Sequence, residues 1–132
     1  MPMFVAVVDD EIDLACLFRD ALSQIDEVRV FAFSDPHLAL EHFQINHHNY
    51  TVVISDYRMP GMTGIQLFEK MKEINPTVTR MLMSAFEIQD KLFEQCKCID
   101  KFLQKPLAMI NLIEEVKLQI NKMPILNKEP NF

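Results

Sequence analysis

The stretch FVAVVDDEIDLACLFRDALSQIDEVRVFAF, residues 4–33, decides the fold. Phe4 to Val8 is an unbroken apolar run, as expected of a strand buried on both faces. The next apolar residues change period: Leu14, Leu17, Phe18, Ala21, Leu22 and Ile25 fall on one face of a helix. Val28 to Phe33 then returns to β-branched and aromatic residues, which reads as a second strand. Two strands joined through a helix pair in parallel, because a parallel pair needs a crossover connection, and that crossover is right-handed.

The same unit repeats along the chain. Ser34-Asp35-Pro36 supplies an N-cap followed by Pro at the first helical position, opening a helix toward Phe43. Asn46-His47-His48-Asn49 closes that unit as a polar loop. Thr51 to Ser55 is a third strand; beyond a Pro-Gly turn, Ile65, Phe68, Met71 and Ile74 mark a third helix, stopped by Asn75-Pro76. Val78 to Met83 predicts a fourth strand, Ile88 to Gln95 a weaker helix, and Ile99 to Leu103 a fifth strand. Met109, Leu112, Ile113, Val116 and Ile120 form the stripe of the last helix. Five such units predict an α/β fold, a doubly wound five-stranded parallel sheet with helices on both faces. Residues 1–121 make one domain. Residues 122–132, with Pro124 and Pro130 and no periodicity, read as a short tail or linker stub.

Composition agrees with a single core. The chain has 132 residues, 49% hydrophobic and 24% charged, with 2 glycines, which is globular composition too short for a multi-domain enzyme. No apolar run approaches the ~20 residues of a membrane span. Met1-Pro2-Met3-Phe4 lacks the basic region of a secretory signal, so a cytoplasmic protein is expected. Charge is uneven: 10 acids face 3 arginines through Gly64, whereas 9 acids face 10 Lys and Arg from Ile65 onward. So acidic a first half repels phosphate backbones, making nucleic acid an unexpected direct partner, while clustered carboxylates suit a divalent cation. Cys16, Cys96 and Cys98 are odd in number and suggest no disulfide framework. Cys96 and Cys98 lack the second pair of ligands that a zinc site needs and read as small packing residues.

In doubly wound sheets ligands bind at the carboxyl ends of the strands, and the polar residues of this sequence gather there. Asp9, Asp10 and Glu11 follow the first run, Asp56 the third, Ser84 the fourth, and Lys105-Pro106 the fifth. Asp9, Asp10 and Asp56 together cannot all stay ionised without a counter-charge. Mg²⁺ takes oxygen ligands and is held by one or two carboxylates plus a phosphate, so it answers that need. Lys105 adds a positive charge and Ser84 a hydroxyl, which fits a phosphoryl group beside a metal. Taken singly, each residue has a plainer explanation: a helix cap for Asp9 to Glu11, a turn for Asp56, a loop lysine for Lys105, an N-cap for Ser84, core for Phe102. Those explanations leave unexplained why all the candidates fall at one end of the sheet.

Val7-Val8-Asp9-Asp10-Glu11, Asp56-Tyr57-Arg58-Met59-Pro60-Gly61-Met62-Thr63-Gly64, Ser84-Ala85 and Lys105-Pro106 together resemble the motif set of response-regulator receiver domains, over about residues 4 to 121. The resemblance implies the flavodoxin-like strand order 2-1-3-4-5 and phosphoryl transfer from the phosphohistidine of a histidine kinase, or a histidine phosphotransfer domain, to Asp56. It implies a two-component signalling protein that catalyses only its own phosphorylation and dephosphorylation. Asp10 becomes the principal Mg²⁺ ligand, Asp9 a second acid acting directly or through water, and Arg58 a ligand through its backbone carbonyl. Lys105 and the metal neutralise charge on the transferring group. Ser84 moves toward the phosphoryl oxygens, Phe102 turns inward, and the docking face made by the fourth helix, fifth strand and last helix changes its population of states. The protein would be a monomer or a weak, phosphorylation-linked dimer, a stand-alone receiver or one excised from a longer regulator.

Three departures from the family pattern stand out. Phe102 lacks the hydroxyl of the Tyr often found at the switch position. Phe86, two residues after Ser84, is bulky and would shield the aspartyl-phosphate from water. Cys98 and Ile99 stand where small residues are frequent. Other classes fit less well: a haloacid-dehalogenase-like phosphatase opens its site with Asp-x-Asp, which Asp9-Asp10-Glu11-Ile12-Asp13 does not match, and a flavodoxin needs a phosphate-binding loop where this chain is acidic. The remaining alternative is a receiver-fold interaction module that works without phosphorylation, against which the intact Asp9, Asp10, Asp56, Ser84 and Lys105 set argues.

Overall fold

Each apolar run becomes a strand backed by a helix. The computed structural model describes residues 2–85 and 97–122. In chain order the elements are β1 (Met3–Val8), α1 (Ile12–Leu22), β2 (Val28–Phe33), α2 (Pro36–Asn46), β3 (Tyr50–Asp56), α3 (Gly64–Ile74), β4 (Thr79–Ser84), β5 (Lys101–Gln104) and α4 (Met109–Asn121), with a 3₁₀ turn at His47–Asn49. All strand pairings are parallel and the sheet order is β2-β1-β3-β4-β5. This is the doubly wound α/β sheet that the sequence predicts. The helix expected over Ile88 to Gln95, Phe86, Cys96 and the tail beyond Lys122 lie outside the described residues.

Alternation along the strands divides the core between the two faces of the sheet. Val5, Val7, Val52, Ile54, Met81 and Met83 pack with Ala15, Phe18 and Leu22 of α1 and with Leu112 and Val116 of α4. Their chain neighbours Ala6, Val8, Val53 and Leu82 point the other way, toward Ala39 and Phe43 of α2 and Leu67, Phe68 and Met71 of α3. With helices on both sides, strand positions in the sheet centre are mostly apolar, as the continuous apolar run of β1 shows, and the buried hydroxyls of Thr51 and Ser55 in β3 donate to Phe4 O and Asp56 O.

Local signals place the helix starts. The Asp35 carboxylate accepts from His37 N at 2.9 Å, with Pro36 in the first turn of α2. Thr63 and Gln66 form a reciprocal capping box at the start of α3, each side chain accepting from the other's backbone N–H. Glu11 precedes α1 without a side-chain cap bond of its own, and the Asp9 carboxylate accepts from Glu11 N at 3.0 Å.

The ends of β1, β3 and β4 differ from the expected runs by single residues, and two further boundaries differ for a local reason. Helix α2 continues to Asn46, whose side-chain amide donates back to His42 O at 3.0 Å, so the expected loop shrinks to the 3₁₀ turn. Strand β5 begins at Lys101 rather than Ile99, because Asp100 exchanges hydrogen bonds with Arg80 and ends the preceding turn. Asp56 and Ser84 occupy the last rungs of β3 and β4, paired with Met83 and Gln104 respectively.

Candidate functional site

The carboxyl ends of β1, β3, β4 and β5 meet in a cleft of about 660 Å³ whose lining includes Asp10, Asp56, Arg58, Ser84 and Lys105. Sheet order alone explains the convergence: β1 and β3 are neighbours at the centre, and β4 and β5 continue outward on the β3 side. The structure brings Asp9, Asp10 and Asp56 together, with one carboxylate oxygen from each within 4.8 Å of the others.

The three acids are not equivalent. Asp9 is fully buried, and both its oxygens are engaged: Oδ1 accepts from Glu11 N at 3.0 Å and Oδ2 from Lys105 Nζ at 2.9 Å. Asp10 is exposed at the cleft. Asp56 lies between these extremes, its Oδ1 accepting from Tyr57 N at 3.0 Å and standing 3.4 Å from Lys105 Nζ. Lys105 therefore bridges the buried acid of β1 and the half-buried acid of β3. Burial weakens the ammonium, but the opposing carboxylates of Asp9 and Asp56 outweigh it and hold the Lys105 pKa above its usual value. Burial also raises the Asp56 carboxyl above the ordinary aspartate range; Lys105 opposes that rise and the Asp9 charge adds to it.

Backbone geometry fixes the end of β3 around Asp56. Ser55 Oγ donates to Asp56 O at 2.9 Å, Tyr57 N donates to Met83 O at 2.8 Å, and Gly64 N donates to Tyr57 O at 2.8 Å. Gly64 begins α3 directly against this turn, and a Cβ there would collide with the Asp56 carbonyl oxygen and with Leu82. Gly64 has no assigned role in the sequence reading, although its being one of 2 glycines in the chain is the signal that could have drawn attention to it.

The remaining candidates divide between cleft and core. Ser84 is buried at the end of β4, with its carbonyl accepting from Lys105 N at 2.8 Å. Arg58 is exposed at the rim. Phe102 is half-buried on β5, packed against the cluster on the α2 and α3 face rather than lining the cleft. Leu14, Phe18, Leu107 and Met109 form an apolar wall of the cleft between α1 and α4, which sequence reading did not single out. Leu14, Phe18 and Met109 came to notice there only as helix-stripe positions, and Leu107 did not.

Oxygen-only donors, one of them exposed and all close together, fit a hard divalent cation. Among the described residues they are the one group of three or more acids, His or Cys close enough to share an ion. No described helix is long and apolar enough to cross a membrane.

The family model for the response regulator receiver domain matches residues 5–117. The C4-dicarboxylate transport transcriptional regulatory protein DctD of Rhizobium meliloti is 30% identical over 122 residues, covering 86% of this chain and 24% of its own length. Two-component response regulator ARR16 of Arabidopsis thaliana is 27% identical over 111 residues, covering 80% of this chain and 65% of its own length. The chain thus spans only about a quarter of the DctD relative. Among solved structures, a response regulator receiver domain protein from Clostridium thermocellum superposes with TM-score 0.82 at 23% identity, covering 94% of this chain and 98% of that one. Sequence model, curated relatives and backbone agree, and the chain belongs to the response regulator receiver domain family.

Proposed function

We propose that Asp56 is the phosphoryl acceptor of a two-component phosphorelay. Accepting a phosphoryl group is the general work of this family, and the observation that carries the reading here is the Lys105 ammonium held 3.4 Å from the Asp56 carboxylate at the mouth of an acidic cleft. An Asp56 oxygen attacks phosphorus of a phosphohistidine protonated on its other ring nitrogen; the P–O bond forms as the P–N bond breaks, and the bonding pair returns to nitrogen so that neutral imidazole leaves. Lys105 lowers the repulsion between the carboxylate and the incoming phosphoryl oxygens. Glu11 N and the Lys105 ammonium hold Asp9 in place, so Asp9 orients Lys105 and keeps that cation from drifting into solvent.

Receiver domains bind Mg²⁺ at an acidic pocket, and Asp10 and Asp56 are the carboxylates we assign to it, with the Arg58 carbonyl as a further ligand. Both oxygens of Asp9 already have protein donors, which favours its acting on the cation through water. When bound, the cation supplies positive charge that offsets the clustered carboxylates and the phosphoryl oxygens. Ser84, buried at the end of β4, donates its hydroxyl to the phosphoryl group after transfer, and half-buried Phe102 turns further inward to alter the face beside β5 and α4. A histidine kinase or histidine phosphotransfer domain is the donor, and the chain promotes its own dephosphorylation by water.

Intact mass after incubation with acetyl phosphate tests this. A single phosphoryl adduct that requires Mg²⁺ and is absent from Asp56→Asn supports the acceptor role. No adduct in the wild type while Mg²⁺ still binds contradicts it, and leaves an interaction module that works without phosphorylation.

A further inference from the structure

β5 has four residues, sits at the edge of the sheet and buries a single side chain, Leu103. A strand so short carries little apolar pattern to fix its register, and a slip of one residue shifts it by about 3.3 Å and reverses every side chain. Lys105 follows β5 directly, and its contacts with Asp9 at 2.9 Å and Asp56 at 3.4 Å would not survive such a slip.

The opposite end of the β4–β5 ladder holds a buried charge that the chemistry does not use. Arg80 is 3% exposed. Its Nε donates to Cys98 O at 2.6 Å, Nη1 donates to Val78 O at 3.0 Å and to Pro76 O at 3.5 Å, and Nη2 lies 3.6 Å from the Asp100 carboxylate. The main chain is tied in both directions: Arg80 N donates to Asp100 Oδ2 and Asp100 N donates to Arg80 O, each at 2.8 Å. Met81 then pairs with Lys101, and the ladder runs on to Ser84 with Gln104. A buried guanidinium generally gains little stability over an apolar side chain of similar size, because desolvation offsets its bonds. What three fixed carbonyls and a carboxylate do provide is one allowed alignment of the turn before β5 against the start of β4.

We propose that Arg80 and Asp100 pin the register of β5 on β4, and through it position Lys105 beside Asp9 and Asp56, about 15 Å away along the strands. Both are positioning residues, and the effect on phosphoryl transfer rests on the reading of Asp56 as acceptor. The carboxylates assigned to the cation follow β1 and end β3, so loss of the pin separates cation binding from transfer, which a general loss of stability would not do.

The test compares wild type, Arg80→Met, Arg80→Lys and Asp100→Ala. NMR reads the cross-strand pairing of Ser84 with Gln104, calorimetry reads Mg²⁺ affinity, and mass spectrometry reads the initial rate of adduct formation from acetyl phosphate at saturating Mg²⁺. In Arg80→Met the pairing is expected to shift or broaden and the Mg²⁺ affinity not to fall, since the ammonium that competes for Asp56 is withdrawn. Its rate should fall about tenfold or more, since displacement of a positioned group by an ångström is enough for that. Arg80→Lys should recover part of the rate, its ammonium reaching fewer of the carbonyls. Asp100 is partly exposed, so Asp100→Ala carries the same expectation should Arg80→Met fail to fold. Native pairing in the variants overturns the inference, and so does a wild-type rate where pairing has shifted. If the wild type itself takes no phosphoryl group, the acceptor reading falls while the NMR result still decides the pin.

Discussion

Gly64 governs how closely α3 can start against Asp56. Its N–H reaches Tyr57 O, and the space a methyl group would need is filled by the Asp56 carbonyl and Leu82. Gly64→Ala is therefore expected to cost about 1–3 kcal/mol, the range for forced overpacking, because backbone cannot yield as a flexible side chain can. Urea denaturation measures the loss, and an unchanged midpoint would show that the turn relaxes freely. Sequence reading identified Asp9, Asp10, Asp56, Ser84 and Lys105 because each follows an apolar run, a one-dimensional property. It could not reveal that Asp9 is sealed away with Lys105 while Asp10 faces the cleft, since adjacent residues at a strand end differ in burial only through the three-dimensional course of the chain.

At the scale of elements, the start of α2 was legible because its cap is written into the sequence. Asp35-Pro36 places α2 within its first turn. Thr63 and Gln66 cap α3, and Thr63→Ala should cost about 1 kcal/mol by removing the acceptor for Gln66 N. Chemical denaturation of the variant checks this; no loss would mean that packing of Leu67, Phe68 and Met71 alone holds that end of α3. The start of β5 was less legible, because Ile99 has the composition of a strand residue while the bonds that hold it in a turn come from Arg80, distant in sequence. Long-range hydrogen bonds of this kind have no periodic trace. The same is true of the apolar wall made by Leu14, Phe18, Leu107 and Met109, whose two halves belong to opposite ends of the chain.

For the whole molecule, a half-buried histidine packed among aromatic rings makes stability depend on pH. His42 of α2 lies against Phe31 with ring centroids 4.5 Å apart, and its Nδ1 is 2.8 Å from the Tyr50 hydroxyl. Burial first, and the charge of Arg29 second, lower its pKa below the ordinary 6.5. The unfolded chain then binds more protons than the folded one as pH drops below 6.5, so this group's contribution to stability is present above that pH and is lost on acidification toward its depressed folded value. Between about pH 7.5 and pH 5, wild type should lose more stability than His42→Phe, whatever the absolute offset between them. Parallel stability curves for the two proteins would contradict this.

The central claim concerns one atom, an Asp56 carboxylate oxygen, and chemical trapping addresses it most directly. After treatment with acetyl phosphate and Mg²⁺, reduction with borohydride converts an aspartyl-phosphate to homoserine, which peptide mass spectrometry can locate. The account predicts homoserine at position 56 and nowhere else. Homoserine at Asp9 or Asp10, or an unaltered Asp56 in a phosphorylated chain, would contradict it.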